Sequence, residues 1–481
     1  MAVEAGARLD PLSSGALERE LPAVRVAFDP EAMRAHLQAA LGATLRGCRP
    51  AQSIYLDGDC CMVRYEVEVE DGARGPRQVL VTGRLYADPG RAAAYAAERL
   101  APLAASVRGR DEVAPFASAA AVIDALGMTV QVYPVDGELP TMVEATDPAA
   151  AARALGELLA ASGFGELGGT SYGGDEITAC RAEPVHYNRR HRCMFRYHLQ
   201  LASGRRLVLY GKVGNDGAGE RTPAIVAGLR ARLAGARFAV PECLGFHDGL
   251  QLVALTEIPG VPQVAQLLRA RLRGEPEPAS GLTLEGAVDA CGQIAAALHG
   301  SGLELGAARP FEGELVRLRA ELAPIGRLMP ELGERLAGWL ELAERRGRAG
   351  AALPACQSHG DFTYTQLIFD GPRSGLVDFD TLCQAEPAMD IGHFLAYLSF
   401  AEVKARGTGG GGPVAPIEGL AERFTSAYTA AGGDEAALGR APVYEALSLV
   451  RQAAHAWQNL KGARLANVLT VLAERHPLDG G

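Results

Sequence analysis

The chain carries no zinc-binding spacing. Its nine cysteines are scattered, only Cys60 and Cys61 are adjacent, and no CxxC pair or Cys/His ligand pattern occurs, so an ordinary zinc site is excluded. It has no excess of positive charge either. The 47 Lys and Arg stand against 57 Asp and Glu, a formal net charge of −10, so no global basic field favours nucleic acid or an anionic membrane. No apolar run of about 18 residues is free of charge, which argues against a transmembrane helix. The first 30 residues interrupt every apolar stretch with charges, so neither a signal peptide nor an anchor is expected. A cytoplasmic protein with reduced thiols is the reading. A Walker A motif, GxxxxGK[ST], is also missing.

What is present is an ordinary globular composition, 48% hydrophobic and 22% charged over 481 residues, long enough for two or three domains. An internal echo divides it. Residues 61–67 read CMVRYEV and residues 193–199 read CMFRYHL, alternating runs that predict strands. Second strands follow at 78–86 and 206–214, then Ala-rich helical stretches, then further strands TVQVYP and QLVALT. The expected fold is α+β, with a duplicated small sheet-plus-helix unit or two hairpins alike by chance. The first copy carries Arg84 where the second carries Lys212, and its turn is acidic, with Asp57 and Asp59. The second turn, YNRRHR at 187–192, is basic, and only it has the charges to meet a polyphosphate. From Val264 onward the pattern turns helical, GTGGGG at 407–412 predicts a surface loop, and the last segment returns to helical periodicity.

Residues 357–398, QSHGDFTYTQLIFDGPRSGLVDFDTLCQAEPAMDIGHFLAYL, carry the chemistry. Gln366 to Phe369 and Leu376 to Phe379 are strand-like runs around DGPRSG and predict an antiparallel hairpin. Folding it about Pro372 sets Gln366 opposite Asp378. Asp361, five residues before Gln366, enters the same mouth. Carboxylate and amide oxygens gathered at one point suit Mg²⁺, which takes its remaining ligands from water and substrate phosphates.

HGDFTYTQ followed by LVDFD resembles the catalytic loop and metal-binding segment of the aminoglycoside phosphotransferase family, relatives of protein kinases. The resemblance covers roughly residues 185–470. It implies a bilobal protein-kinase-like fold, with a small β-rich N-lobe (166–262) and a larger helical C-lobe (263–481), preceded by an extra α+β domain (1–165) resembling a duplicated N-lobe. It implies Asp361 as the base that orients the acceptor hydroxyl, Gln366 as a metal ligand in place of the usual Asn, and Asp378 as the principal metal ligand. Asp380 replaces the glycine of the protein-kinase DFG and is a further candidate at the metal. His359 is expected to hold the loop by hydrogen bonds, and Asp390 to cap the helix MDIGHFLAYL, a role that suffices by itself, and also to tie down the catalytic loop.

Phosphoryl transfer asks mainly for positioning and charge neutralisation. Lys212 is the expected nucleotide lysine. In VLYGKV it shares a face with Tyr210 and Val208, and an ammonium there needs an anionic partner such as an α/β-phosphate. Adenine is expected against LTEIPG, with Glu257 and Ile258 offering backbone groups, although that run also reads as a strand ending in a Pro-Gly turn. The sequence departs from the protein-kinase pattern where GxGxxG would precede the CMFRYHL strand. Arg189, Arg190 and Arg192 stand there, either gripping phosphates or forming a solvated turn. After Lys212, Val226 and Ala227 occupy the place of a pairing glutamate, and Glu220 is the nearest acid.

The implied activity is Mg-ATP-dependent transfer of a phosphoryl group to a hydroxyl of a small molecule: an antibiotic, a sugar or a biosynthetic intermediate. The alternatives are a peptide Ser/Thr kinase and a non-catalytic nucleotide-binding scaffold. Arg84 in the lysine position argues against a second ATP site, so the N-terminal domain is expected to be structural or to mediate a homodimer.

Overall fold

The computed structural model describes residues 10–162, 166–167, 170–171, 175–187, 192–277, 281–407 and 419–478. Arg189, Arg190 and residues 408–412 of the glycine-rich loop lie outside them. The chain divides into two compact units. The first is Met1–Arg221 with Leu244–Thr256 and Gln458–Gly462; the second is Thr222–Cys243 with Glu257–Trp457 and Ala463–Gly481. The strands of both sequence copies therefore lie in the first unit, whereas the helical stretch of the second copy, from Thr222, belongs to the second.

That unit is built on two five-stranded sheets. Helix α1 (Pro30–Leu41) leads into β1 (Leu45–Leu56), β2 (Cys60–Glu70) and β3 (Pro76–Tyr86); α2 (Pro89–Tyr95) follows, then β4 (Ala120–Ile123) and β5 (Met128–Val132). Helix α3 (Pro148–Ser162) leads into β6 (Ile177–Tyr187), β7 (Arg192–Leu201) and β8 (Arg206–Gly214), with β9 (Cys243–His247) and β10 (Leu252–Thr256) completing the second sheet. Strand order is the same in both, first, second, third, fifth, fourth. So is the register: Met62 lies opposite Arg84, and Met194 opposite Lys212. Both leading helices also start alike. Asp29 accepts from the amides of Glu31 and Ala32, and Asp147 from those of Ala149 and Ala150, each followed by a proline at the first helical position, where no backbone donor is lost.

Period-two patterning decides which residues face the core. Cys193, Phe195, Tyr197, Leu199 and Leu201 of β7 are buried, and on β8 Val213 lies opposite Cys193 and Leu209 opposite Tyr197. They pack with Leu155 and Leu158 of α3. Tyr210 and Lys212 alternate onto the other face of β8 and are half-buried. At the equivalent place in the first sheet Arg84 is buried, 3.0 Å from Glu138 and under the Tyr95 ring.

The second unit is mostly helical: α4 (Thr222–Arg232), α5 (Gln263–Arg273), α6 (Leu284–His299), α7 (Phe311–Leu328) and α8 (Pro330–Ala349). Between α8 and α9 (Ala388–Gly407) run four short strands, β11 (Cys356–Ser358), β12 (Leu367–Asp370), β13 (Arg373–Leu376) and β14 (Cys383–Ala385). Helices α10 (Leu420–Ala430), α11 (Ala436–Gln458) and α12 (Gly462–Arg475) follow. The charged amphipathic stretch from Glu312 to Arg348 is thus two helices, divided at Pro330, which cannot donate to the preceding turn. The final helical stretch divides at Leu460, whose φ is 55°. No helix among the described residues is long and apolar enough to cross a membrane.

Candidate active site

The expected hairpin forms from β12 and β13, turning through Gly371 at φ 58° with Asp370 opposite Arg373. Its two-residue turn shifts the register by one from a fold centred on Pro372. Val377 N donates to Gln366 O at 3.0 Å, so Gln366 pairs with Val377 and Asp378 comes one residue later. Asp378 takes φ 68° and ψ 65°, a left-handed conformation rarely adopted by a residue with a side chain and typical of functional turns. It leads into the helical turn Phe379–Thr381, which carries a half-buried Asp380.

The loop leaving β11 is held from several sides. Asp390 Oδ2 accepts from His359 N at 2.7 Å and Asp390 Oδ1 from Gly360 N at 2.8 Å. Thr381 Oγ1 donates to His359 O at 3.0 Å, and Arg309 Nη1 to Gly360 O at 3.2 Å. The loop needs glycine at 360: φ is 79°, and a Cβ there would sit 2.3 Å from Thr381 O. His359 Nε2 lies 3.0 Å from Val377 O, which links loop to hairpin, whereas its Nδ1 is buried without a partner.

The helix-capping reading of Asp390 is corrected. Asp390 is the third residue of α9 and completely buried, and both its oxygens serve the loop while His299 Nε2 lies 3.1 Å from Oδ2. Burial opposes its ionisation, but the hydrogen bond and charge of His299, with His359, outweigh that and hold the carboxyl below the usual aspartate range.

Asp361 follows directly. Gln366 Nε2 donates to Asp361 Oδ2 at 3.2 Å, and His393 Nε2 lies 2.8 Å from Asp361 Oδ1. Desolvation pushes its pKa up and Asp378 adds to that, yet the hydrogen bond from His393 and the electrostatic attraction of the His393 and His359 rings prevail, so the carboxyl stays below its ordinary range. Asp361 is thus a carboxylate at neutral pH, with its side chain 39% exposed, and a reacting hydroxyl can reach it.

The donor set fits a magnesium ion. With Gln366 Nε2 committed to Asp361, its Oε1 is the atom left for a cation. Among the described residues no group of three His, Cys, Asp or Glu could hold a metal. Mg²⁺ is usually bound through one or two carboxylates plus water and phosphate.

The other expected residues fall elsewhere. Lys212 and the exposed Glu220 belong to the first unit, whereas Glu257 and Ile258 open the second unit's long segment and are half-buried. Ile258 packs against Gly375 of the hairpin strand β13. Arg192 forms a 2.6 Å ion pair with Asp216. Sequence reasoning missed His393, Ser448, His299, Arg309 and Glu314. His393 was signalled only by its place in DIGH, three residues after Asp390. Ser448, whose Oγ is 2.7 Å from His393 Nδ1, lies 55 residues further on and has no local signal.

The model of the phosphotransferase enzyme family matches residues 196–438. Among solved structures, a choline/ethanolamine kinase family protein from Mesorhizobium loti is 16% identical, covering 62% of this chain and 90% of that one with a TM-score of 0.42. A glucosamine kinase is 15% identical, covering 89% and 91% with a TM-score of 0.46. An aminoglycoside phosphotransferase in ternary complex with AMP-PNP and hygromycin B is 15% identical, covering 64% and 96% with a TM-score of 0.43. No curated protein matches the sequence.

Proposed function

The chain belongs to the phosphotransferase enzyme family and is a phosphotransferase acting on small-molecule hydroxyls; from that premise we propose that it transfers the γ-phosphoryl group of ATP, with Mg²⁺, to a hydroxyl of an antibiotic, a sugar or a biosynthetic intermediate. The observation that carries the proposal is the meeting of Asp361 and Gln366, 3.2 Å apart, on a loop whose backbone Asp390 fixes at two successive amides. Transfer of this kind depends on positioning and on neutralising charge more than on covalent chemistry.

In this reading Asp361 accepts the hydroxyl proton as the acceptor oxygen bonds to phosphorus. Gln366 and Asp378 would hold the ion, with Asp380 a further candidate ligand. The ion, when bound, neutralises charge on the phosphates. Lys212 is assigned to the nucleotide phosphates, helped by Arg189 and Arg190, with Glu220 its nearest acid, and adenine to the backbone of Glu257 and Ile258. The identical strand order and register of the two sheets support an N-terminal domain that duplicates the nucleotide lobe. Its lysine position is filled by the Arg84–Glu138 pair, so we assign it a structural or dimer-forming role in a cytoplasmic enzyme.

Calorimetry of ATP binding with and without Mg²⁺, on the intact chain and on Asp378→Ala, tests this without knowledge of the acceptor. One ATP per chain, lost in the variant, is expected. Failure of the intact chain to bind would reject the assignment.

A further inference from the structure

The base assigned above is backed by a second buried pair that this assignment does not use. His393 is 9% exposed, and its two ring nitrogens are both engaged: Nε2 is 2.8 Å from Asp361 Oδ1, and Nδ1 is 2.7 Å from Ser448 Oγ. Tyr397 flanks the ring, with centroids 5.0 Å apart. The contact is built into the helix packing. Gly392, the residue before His393, brings α9 so close to α11 that a Cβ would stand 2.5 Å from Glu445 N. The backbones touch there, and the next side chain along α9 reaches Ser448 one turn further along α11.

An ionised carboxylate only accepts, so the ring must present Nε2–H to Asp361. In the neutral ring Nδ1 then accepts the Ser448 hydroxyl proton. The serine thereby selects the tautomer that the aspartate requires, as outer partners do for other functional imidazoles. Asp361 is left with Oδ1 tied to an imidazole and, among the described residues, Oδ2 hydrogen-bonded only by the longer Gln366 amide bond at 3.2 Å. Oδ2 is the oxygen with basicity to spare.

We propose that His393, held in its Nε2–H tautomer by Ser448, is a positioning residue that fixes Asp361 so that Oδ2 faces the acceptor hydroxyl. The hydroxyl proton passes to Oδ2 as the acceptor oxygen bonds to the γ-phosphorus and the bond from that phosphorus to the departing ADP oxygen breaks. The inference rests on the reading of Asp361 as the base.

Two measurements on the full-length chain test it. The first is ¹H–¹⁵N spectroscopy of the histidine rings, which needs no acceptor. His393 should show an Nε2-protonated ring, and Ser448→Ala should shift its Nδ1 resonance. A ring protonated at Nδ1 alone would overturn the proposal. The second is ADP release from Mg-ATP with water as the acceptor. His393→Phe should lower kcat about tenfold to a hundredfold with the KM for ATP unchanged, the scale expected of a misplaced reacting group. His393→Gln, which keeps an N–H near the Nε2 position, should recover much of the loss. In an Asp361→Asn background His393→Phe should cost nothing more, because it acts through Asp361. Equal loss in the Phe and Gln variants, or full loss added to Asp361→Asn, would mean a merely structural histidine. An active Asp361→Asn would instead remove the premise, and a silent His393→Phe beside a dead Asp361→Asn would reject this inference alone.

Discussion

The Arg64 guanidinium lies 3.4 Å above the centroid of the Tyr187 ring while its Nη1 donates to the Tyr187 carbonyl at 2.6 Å. The same Nη1 reaches Gln52 Oε1 at 2.8 Å, and the Tyr187 hydroxyl donates to Asp136. Arg64 comes from the first sheet and Tyr187 from the end of the second, so the two sequence copies are joined through a buried cation stacked on an aromatic face.

Removing that cation should loosen the joint. Arg64→Met is expected to cost about 2–4 kcal/mol, since it strands a buried carbonyl and a half-buried side-chain amide oxygen as well as losing the stacking. Arg64→Lys should recover little, because an ammonium has neither the planar face nor the fork. Urea unfolding measures both, and a change below about 0.5 kcal/mol, the level of an ordinary surface substitution, would show the contact to be idle.

Asp361→Asn should abolish phosphoryl transfer while leaving nucleotide affinity intact, because the base acts on the acceptor. Calorimetric ATP binding beside ADP release separates the two. Full turnover in the variant would remove Asp361 from the role given to it.

Gly360→Ala should damage catalysis more than stability. The new methyl would stand 2.3 Å from Thr381 O at a φ of 79°, so the loop must leave the two Asp390 bonds that place Asp361. A fall in kcat of about a hundredfold with a still cooperative melt is expected. An unchanged kcat would show the loop geometry to be dispensable.

Glu314 supplies a pH signature. Burial raises its pKa, but Arg309, with two bonds of 2.9 and 2.8 Å, and Arg451 at 2.5 Å more than compensate, lowering it from 4.5 to about 2. The folded value lies below the unfolded one, so the stabilisation is complete above pH 4.5 and fades as pH falls toward 2. It amounts to about 3 kcal/mol. Unfolding of the intact chain and of Glu314→Gln should therefore show a gap that narrows from pH 4.5 downward. A gap independent of pH would place the stabilisation elsewhere.

Much of the sheet architecture was legible because period-two burial is local. The strand read at 206–214 has those bounds in the structure, and CMVRYEV and CMFRYHL lie within longer strands. The hairpin was legible too, but its register was off by one, since the Gly371–Pro372 turn closes it between Asp370 and Arg373. For Asp390 the reading that it ties down the catalytic loop agrees with its two bonds to that loop, whereas the helix-cap reading does not, because a position at a helix start does not reveal a loop 30 residues earlier that needs two acceptors.

The sequence by itself determined the elements and the hairpin mouth. Asp361, Gln366 and Asp378 lie within 18 residues of one another, and short-range chain geometry brings them together. Only the tertiary structure decided what surrounds Asp361. His393 and Ser448 meet because α9 and α11 cross at Gly392, and Arg309 reaches Gly360 from a segment 51 residues away. Such partners are chosen by helix packing, which no local pattern encodes, and they fix the ionisation and direction of a carboxylate that the motif only names.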